Sequence, residues 1–96
     1  MPSRWLRRRW DEDRGDEFAA WGGSTWFFAT DEAGVVEVQL EVYDGGQVLI
    51  YDASHSADQY GGLADQPIDV ADMTPFVITE DEFSQQLASL KPLNRS

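Results

Sequence analysis

The chain contains no cysteine. That excludes a disulfide framework and a thiolate metal site. No apolar run approaches the ~20 residues that a membrane-spanning helix needs. No apolar stretch follows the N-terminal arginines, so they do not read as a secretory signal. These absences point to a soluble cytoplasmic protein. Serine-nucleophile motifs, a His-x-x-x-His pair and a GxGxxG loop are missing too, so no common catalytic or phosphate-binding signature is present. The largest gap is one of charge. From Gly15 to Leu90 there is not one lysine or arginine, while fifteen of the eighteen acids fall in that span. A formal charge of −11 argues against nucleic acid and anionic membranes as partners. It favours a basic protein partner, or simple solubility.

The positive charge that does exist is concentrated. "RWLRRRWDEDR", residues 4–14, holds five of the seven basic residues. Residues 1–23 differ in composition from the rest and read as an N-terminal arm, mobile or loosely docked up to about Trp21. Ser3 could cap a short helix with Trp5, Leu6 and Trp10 on one side, and Gly22–Gly23 reads as a hinge. A basic arm on an acidic body is attracted to it. The arm is therefore expected to fold back, with Trp5 and Trp10 on apolar surface and the arginines near acids.

Residues 24–91 read as one α+β domain, followed by a tail over 92–96. "STWFFATD" is aromatic and β-branched, as strands are. "VVEVQLEVYD" alternates: Val36, Val38, Leu40 and Val42 face one way, Glu37, Gln39 and Glu41 the other. That period marks a strand with one face on the core and one in water. "DEAG" and "DGG" are turns, and "QVLIYD" is a third strand. Phe27, on the opposite face of its strand from Trp26 and Phe28, is expected under the arm, the alternative being a place in a binding patch. Residues 53–75 read as an irregular loop with one helical turn, pinned by Leu63, Ile68, Val70 and Met73. "FVI" could add a short edge strand. Thr79 with Glu82 forms a capping box, Ile78 with Phe83 a hydrophobic staple, and Phe83, Leu87 and Leu90 an apolar stripe ending at Pro92. The expected fold is a three- to four-stranded antiparallel meander packed on one C-terminal helix, with an N-terminal arm.

The order "EVYDGG", then "YDASHSADQYGGLADQP", then "PFVITEDEF" resembles a family of small acidic bacterial proteins, abundant in actinobacteria. That family is a domain of unknown function, and some of its relatives look like immunity proteins of toxin systems. The resemblance covers about two thirds of the chain. It supports the α+β fold more than any function, and it supplies no catalytic residues.

Two groups of side chains are candidates for binding. The first is the acidic strand face, Glu37, Gln39 and Glu41, as a contact surface for a basic partner such as a nuclease toxin. The second is the loop with Asp52, His55, Asp58 and Tyr60, His55 being the only histidine. A histidine beside carboxylates could act as a general base, or with two aspartates hold a metal. That gives the alternative of a small metal-binding or hydrolytic protein. The simpler reading is that these side chains tie down a long loop through hydrogen bonds. The expectation is a binding protein, monomer or weak dimer, with no cofactor and no catalytic residues.

Overall fold

The structure is a computed structural model that describes residues 2–94; the side chains of Val70, Met73 and Thr74 lie outside what is described. Its strands are β1 (Arg4–Trp10), β2 (Ser24–Thr30), β3 (Val36–Tyr43), β4 (Val48–Asp52), β5 (Ala57–Asp58), β6 (Gly61–Gly62) and β7 (Val77–Ile78). Two α-helices, α1 (Val70–Met73) and α2 (Glu80–Ser89), complete it with two short 3-10 turns. Five strands form one antiparallel sheet in the order β4-β3-β2-β1-β7, and β5 pairs with β6 in a small separate hairpin. The α+β architecture with a C-terminal helix on an antiparallel sheet is as the sequence pattern predicts.

The arm is different. Residues 4–10 form neither a capped helix nor a loose tether. They are a full strand, paired with β2 from Arg4 opposite Thr30 to Trp10 opposite Ser24. The sheet therefore has five strands rather than three or four. The physical reason is that β2 is apolar on both faces and needs a neighbour on its free edge. Trp5 and Leu6 supply the apolar side chains, and the intervening arginines tolerate the water-facing positions. The arm does meet the body, with Trp5 packed against the core, but it does so as backbone ladder.

The helix is as the sequence spells it. Thr79 accepts a hydrogen bond from the Glu82 N–H at 3.1 Å, with Glu80, Asp81 and Glu82 in the first turn. Phe83 is buried in the main cluster with Phe27, Ala29, Leu40 and Val48, and Ile78, Leu87 and Leu90 pack against it. Phe27 is thus covered by α2, not by the arm. The predicted edge strand exists as β7, held to Trp5 and Leu6. The long loop contains one helical turn as expected, plus the β5–β6 hairpin. Leu63 packs on the sheet, and Ile68 is anchored at the β2–β3 turn by its N–H to the Gly34 carbonyl, 2.8 Å. Gly34 has φ +88°, and a Cβ there would sit 2.1 Å from the Ile68 carbonyl oxygen, so this turn accepts only glycine.

The tail also has a structural task. The Leu93 N–H donates to the Val48 carbonyl at 2.6 Å, and the Asn94 amide bonds both Ile50 N–H and Ile50 C=O at 3.0 and 2.9 Å. Together these seal the outer edge of β4, where unpaired backbone would otherwise invite another strand.

Candidate functional site

The sheet face opposite α2 is where sequence and structure part. Gln39 and Glu41 were expected in water; they are 1% and 3% exposed. Glu41 lies between Trp26 on β2 and Leu49 on β4, and Gln39 between Phe28 and Tyr51. Two segments cover this face. One carries Phe18 and Trp21, the other Tyr60 and Leu63, and they close over Tyr43, Leu49 and Tyr51. Phe18 and Trp21 stack at 4.7 Å, and Trp21 meets Tyr43 edge-on at 5.1 Å. Glu37 is half-buried at the end of the sheet, lining the same surface cleft as Asp52 and Ser54. The three residues therefore do not form an exposed acidic contact surface.

A buried carboxylate must be hydrogen-bonded, and Glu41 is. The Tyr43 hydroxyl donates to its Oε1 at 2.5 Å, and Gln39 Nε2 donates to its Oε2 at 2.8 Å. Gln39 also donates to the Gly62 carbonyl and accepts from the Ala64 N–H. The Arg14 guanidinium donates to the Tyr43 hydroxyl at 3.3 Å, to the Tyr60 carbonyl and to Asp16 at 3.1 Å. It lies over the rings of Phe18, Trp21 and Tyr43 at 5.1, 5.7 and 5.8 Å, which is cation–π distance. Burial pushes the Glu41 carboxyl up from the usual carboxylate range, against the lowering effect of Tyr43 and Gln39. Burial, then the Glu41 carboxylate, pushes the Tyr43 hydroxyl up as well. The network binds Arg14, the 60–64 loop and β3 into one unit.

Beside this unit the face is open. A cleft of about 290 Å³ runs between Trp10 and Trp26 on one side and Tyr60 on the other, with Glu41 and Tyr43 in its lining. Glu12, Asp13 and Asp16 stand at its rim, with Arg14 among them. Ser24 fixes one wall: its hydroxyl accepts from the Trp26 indole N–H at 2.6 Å. The sequence reading missed this cleft, because its parts come from β1, the β1–β2 connection, β2 and the 60–62 loop. A signal was present, however. "STWFFAT" and "VLIYD" are apolar at both parities, and a strand apolar on both sides is covered on both sides.

The loop candidates come together only in part. Asp58 is their joint. Its Oδ1 accepts from the Tyr51 hydroxyl at 2.8 Å and the Tyr60 N–H at 2.9 Å; its Oδ2 faces His55 Nε2 at 2.7 Å and the Asn94 amide at 2.8 Å. Burial pushes this carboxyl up, but the His55, Asn94, Tyr60 and Tyr51 bonds together hold it far below the usual range. Asp52 is elsewhere. Its Oδ1 accepts from the backbone N–H of Ser54 and His55 and from the Ser54 hydroxyl. That is an Asx-type turn. Tyr60 serves through its ring, on Phe18 and Trp21, and through its carbonyl on Arg14. Among the described residues no three His, Asp or Glu side chains gather in a way that could hold a metal ion.

Asp58 therefore links loop, tail and sheet, and the consequence is measurable. Asp58→Asn places an NH₂ among donors and is expected to cost about 2 kcal/mol near neutral pH. Because the native carboxyl is held below its unfolded value, its stabilisation is present above about pH 4 and is lost as pH falls. Urea titrations of wild type and D58N from pH 7 to pH 3 should converge at the acid end. A gap that stays constant would remove the carboxylate from this role.

Among the described residues no helix is long and apolar enough to cross a membrane. No family model, no curated protein and no solved structure matches the chain.

Proposed function

We propose that the chain is a non-enzymatic binding protein that engages a basic protein partner, in the manner of an immunity-like inhibitor of a toxin such as a nuclease. The observation that carries this reading is the open cleft, whose Trp10 and Trp26 walls adjoin an acidic rim of Glu12, Asp13 and Asp16. Aromatic walls with charge at the margin are the usual make-up of a protein-binding surface. The rim is also anionic in effect. Arg14 answers Asp16, while Glu12 and Asp13 have no ion pair among the described residues. The carboxylates of Glu41 and Asp58 are different in kind. Their oxygens are engaged by neighbouring donors, which suits anchoring better than proton transfer.

Relative to the sequence-based expectation, the contact surface moves from the strand face of Glu37, Gln39 and Glu41 to the β1–β2 side of the same face. The test is retention of lysate proteins on the immobilised chain, eluted with salt. Wild type is expected to hold a defined basic protein that a Glu12→Lys/Asp13→Lys variant releases at much lower salt. Identical elution from both proteins would refute the proposal.

A further inference from the structure

Trp10 and Trp26 line not one cleft but two. On the far side of the acidic cleft they form, with Phe28, Ile68 and Arg8, an apolar slot, also of about 290 Å³. We infer that the slot and the rim together take one linear segment of a partner protein, in which a bulky apolar side chain stands next to lysine or arginine. The apolar side chain fills the slot and the cation reaches Glu12 and Asp13. This rests on the reading of the chain as a binder of basic proteins and names the element it recognises.

Four observations support it. Each of the two spaces, at about 290 Å³, sits at the lower limit of about 300 Å³ for small-molecule clefts and has room for one bulky side chain. One slot wall is held in place: the Trp26 indole N–H is bonded to Ser24 and its ring lies tilted against Phe28 with centroids 5.9 Å apart, and a fixed wall lowers the ordering cost of binding. Arg8 lines the slot with its guanidinium over the Phe76 ring at 5.2 Å, and the shared Trp10 and Trp26 connect the slot to the cleft that carries the acids. Trp10 is 50% exposed at the junction, where its face can meet either an apolar group or a cation. A partner with only charge would leave the slot empty, and one with only apolar groups would leave the rim unanswered.

The four tryptophans make the test direct, because each gives its own indole N–H signal in a 15N-labelled sample. The probes are Ac-Phe-Lys-Lys-NH₂, Ac-Gly-Lys-Lys-NH₂ and Ac-Phe-Glu-Glu-NH₂. The first is expected to shift the Trp10 and Trp26 signals and leave those of Trp5 and Trp21 in place. The other two are expected to bind at least about ten-fold more weakly, a difference of about 1.4 kcal/mol. Trp10→Ala removes the shared wall at a half-exposed site, keeps the amide spectrum of the sheet, and is expected to weaken the first probe by a similar factor. Equal binding of the phenylalanine and glycine probes, equal binding of the acidic probe, or an unaltered affinity in Trp10→Ala would each overturn the inference. So would unmoved Trp10 and Trp26 signals at about 1 mM of the first probe. Those outcomes leave the broader binding proposal to stand or fall by the Glu12/Asp13 elution experiment, which does not depend on the slot.

Discussion

Removal of residues 1–10 is expected to abolish the native fold. The composition of that segment suggests an appendage, but β1 lies inside the sheet, between β2 and β7. Its loss strips β2 of a seven-residue ladder and leaves β7 with no strand to pair. It also exposes what Leu6 and Trp5 cover. Leu6 is 3% exposed and Trp5 packs on the α2 cluster. Burial of a large apolar side chain contributes about 1.5–3 kcal/mol, so these two alone account for roughly 3–6 kcal/mol. A domain of this size has about 5–15 kcal/mol in all, before the lost ladder is counted. The amide NMR spectrum of the truncated chain should collapse to the narrow dispersion of an unfolded protein. Survival of the native peaks of β3, β4 and α2 would mean that β1 is not part of the sheet.

The same placement explains why the positive charge is gathered there. Arg9 grips Asp44 with both terminal nitrogens at 2.8 Å and Asp11 with Nε at 2.8 Å. That links β1 to the β3–β4 turn, where Asp44 N–H also bonds the Gly23 carbonyl. The Arg9 bond is the chief reason that the Asp44 carboxyl lies below its ordinary value. Such an exposed pair is screened by solvent and contributes little stability, but it ties β1 to the turn. Arg14 holds the covering segment down, and Arg8 lies on Phe76. β7 pairs with Trp5 and Leu6, so among the described residues the outer side of Arg7–Trp10 has no strand beside it. Charged side chains on such an edge repel a second copy of the same edge. The arginines are therefore intramolecular fasteners and edge guards, which fits an otherwise anionic surface.

How much of this was legible beforehand depends on the range of each interaction. The α2 start was readable because capping and staple act over four to six neighbouring residues, Thr79 to Glu82 and Ile78 to Phe83. The turns at Gly34 and Gly46 were readable for the same reason, both having φ near +90°. The fate of Glu37, Gln39 and Glu41 was not. Alternation assigns residues to two faces of a strand but does not say what lies over either face. The covers come from Phe18 and Trp21, some twenty residues upstream, and Tyr60 and Leu63, some twenty downstream. The arm was misread because three consecutive arginines obscure the Trp5–Leu6 pair that seats β1. In the His55 loop the sequence brought the right residues to attention, yet Asp52 turned to its own backbone. The partner that completed Asp58 was Asn94, thirty-six positions away and in what reads as a tail.

Glu41 is the place where this hidden face can be tested most severely. Glu41→Ala leaves the Tyr43 hydroxyl and one Gln39 N–H without their acceptor inside a covered layer. An unsatisfied buried polar group costs about 1–3 kcal/mol, so the loss should be near 3 kcal/mol when both are counted. For a chain of this length each kcal/mol lowers Tm by about 4–8 °C, which gives a fall of about 12–24 °C. The pH dependence carries the sharper information. Burial raises the Glu41 carboxyl above its unfolded value. Its contribution is then complete below the unfolded value, about pH 4.3, and diminishes as pH rises and the buried group is forced to ionise. The gap between wild type and E41A should therefore narrow from pH 5 to pH 8. This slope is opposite in sign to that expected at Asp58, so the two variants form an internal control in one set of denaturation curves. A gap that widens with pH would show that Arg14 and Tyr43 hold Glu41 as a stabilised anion. The cleft floor would then itself be part of the acidic surface offered to a partner.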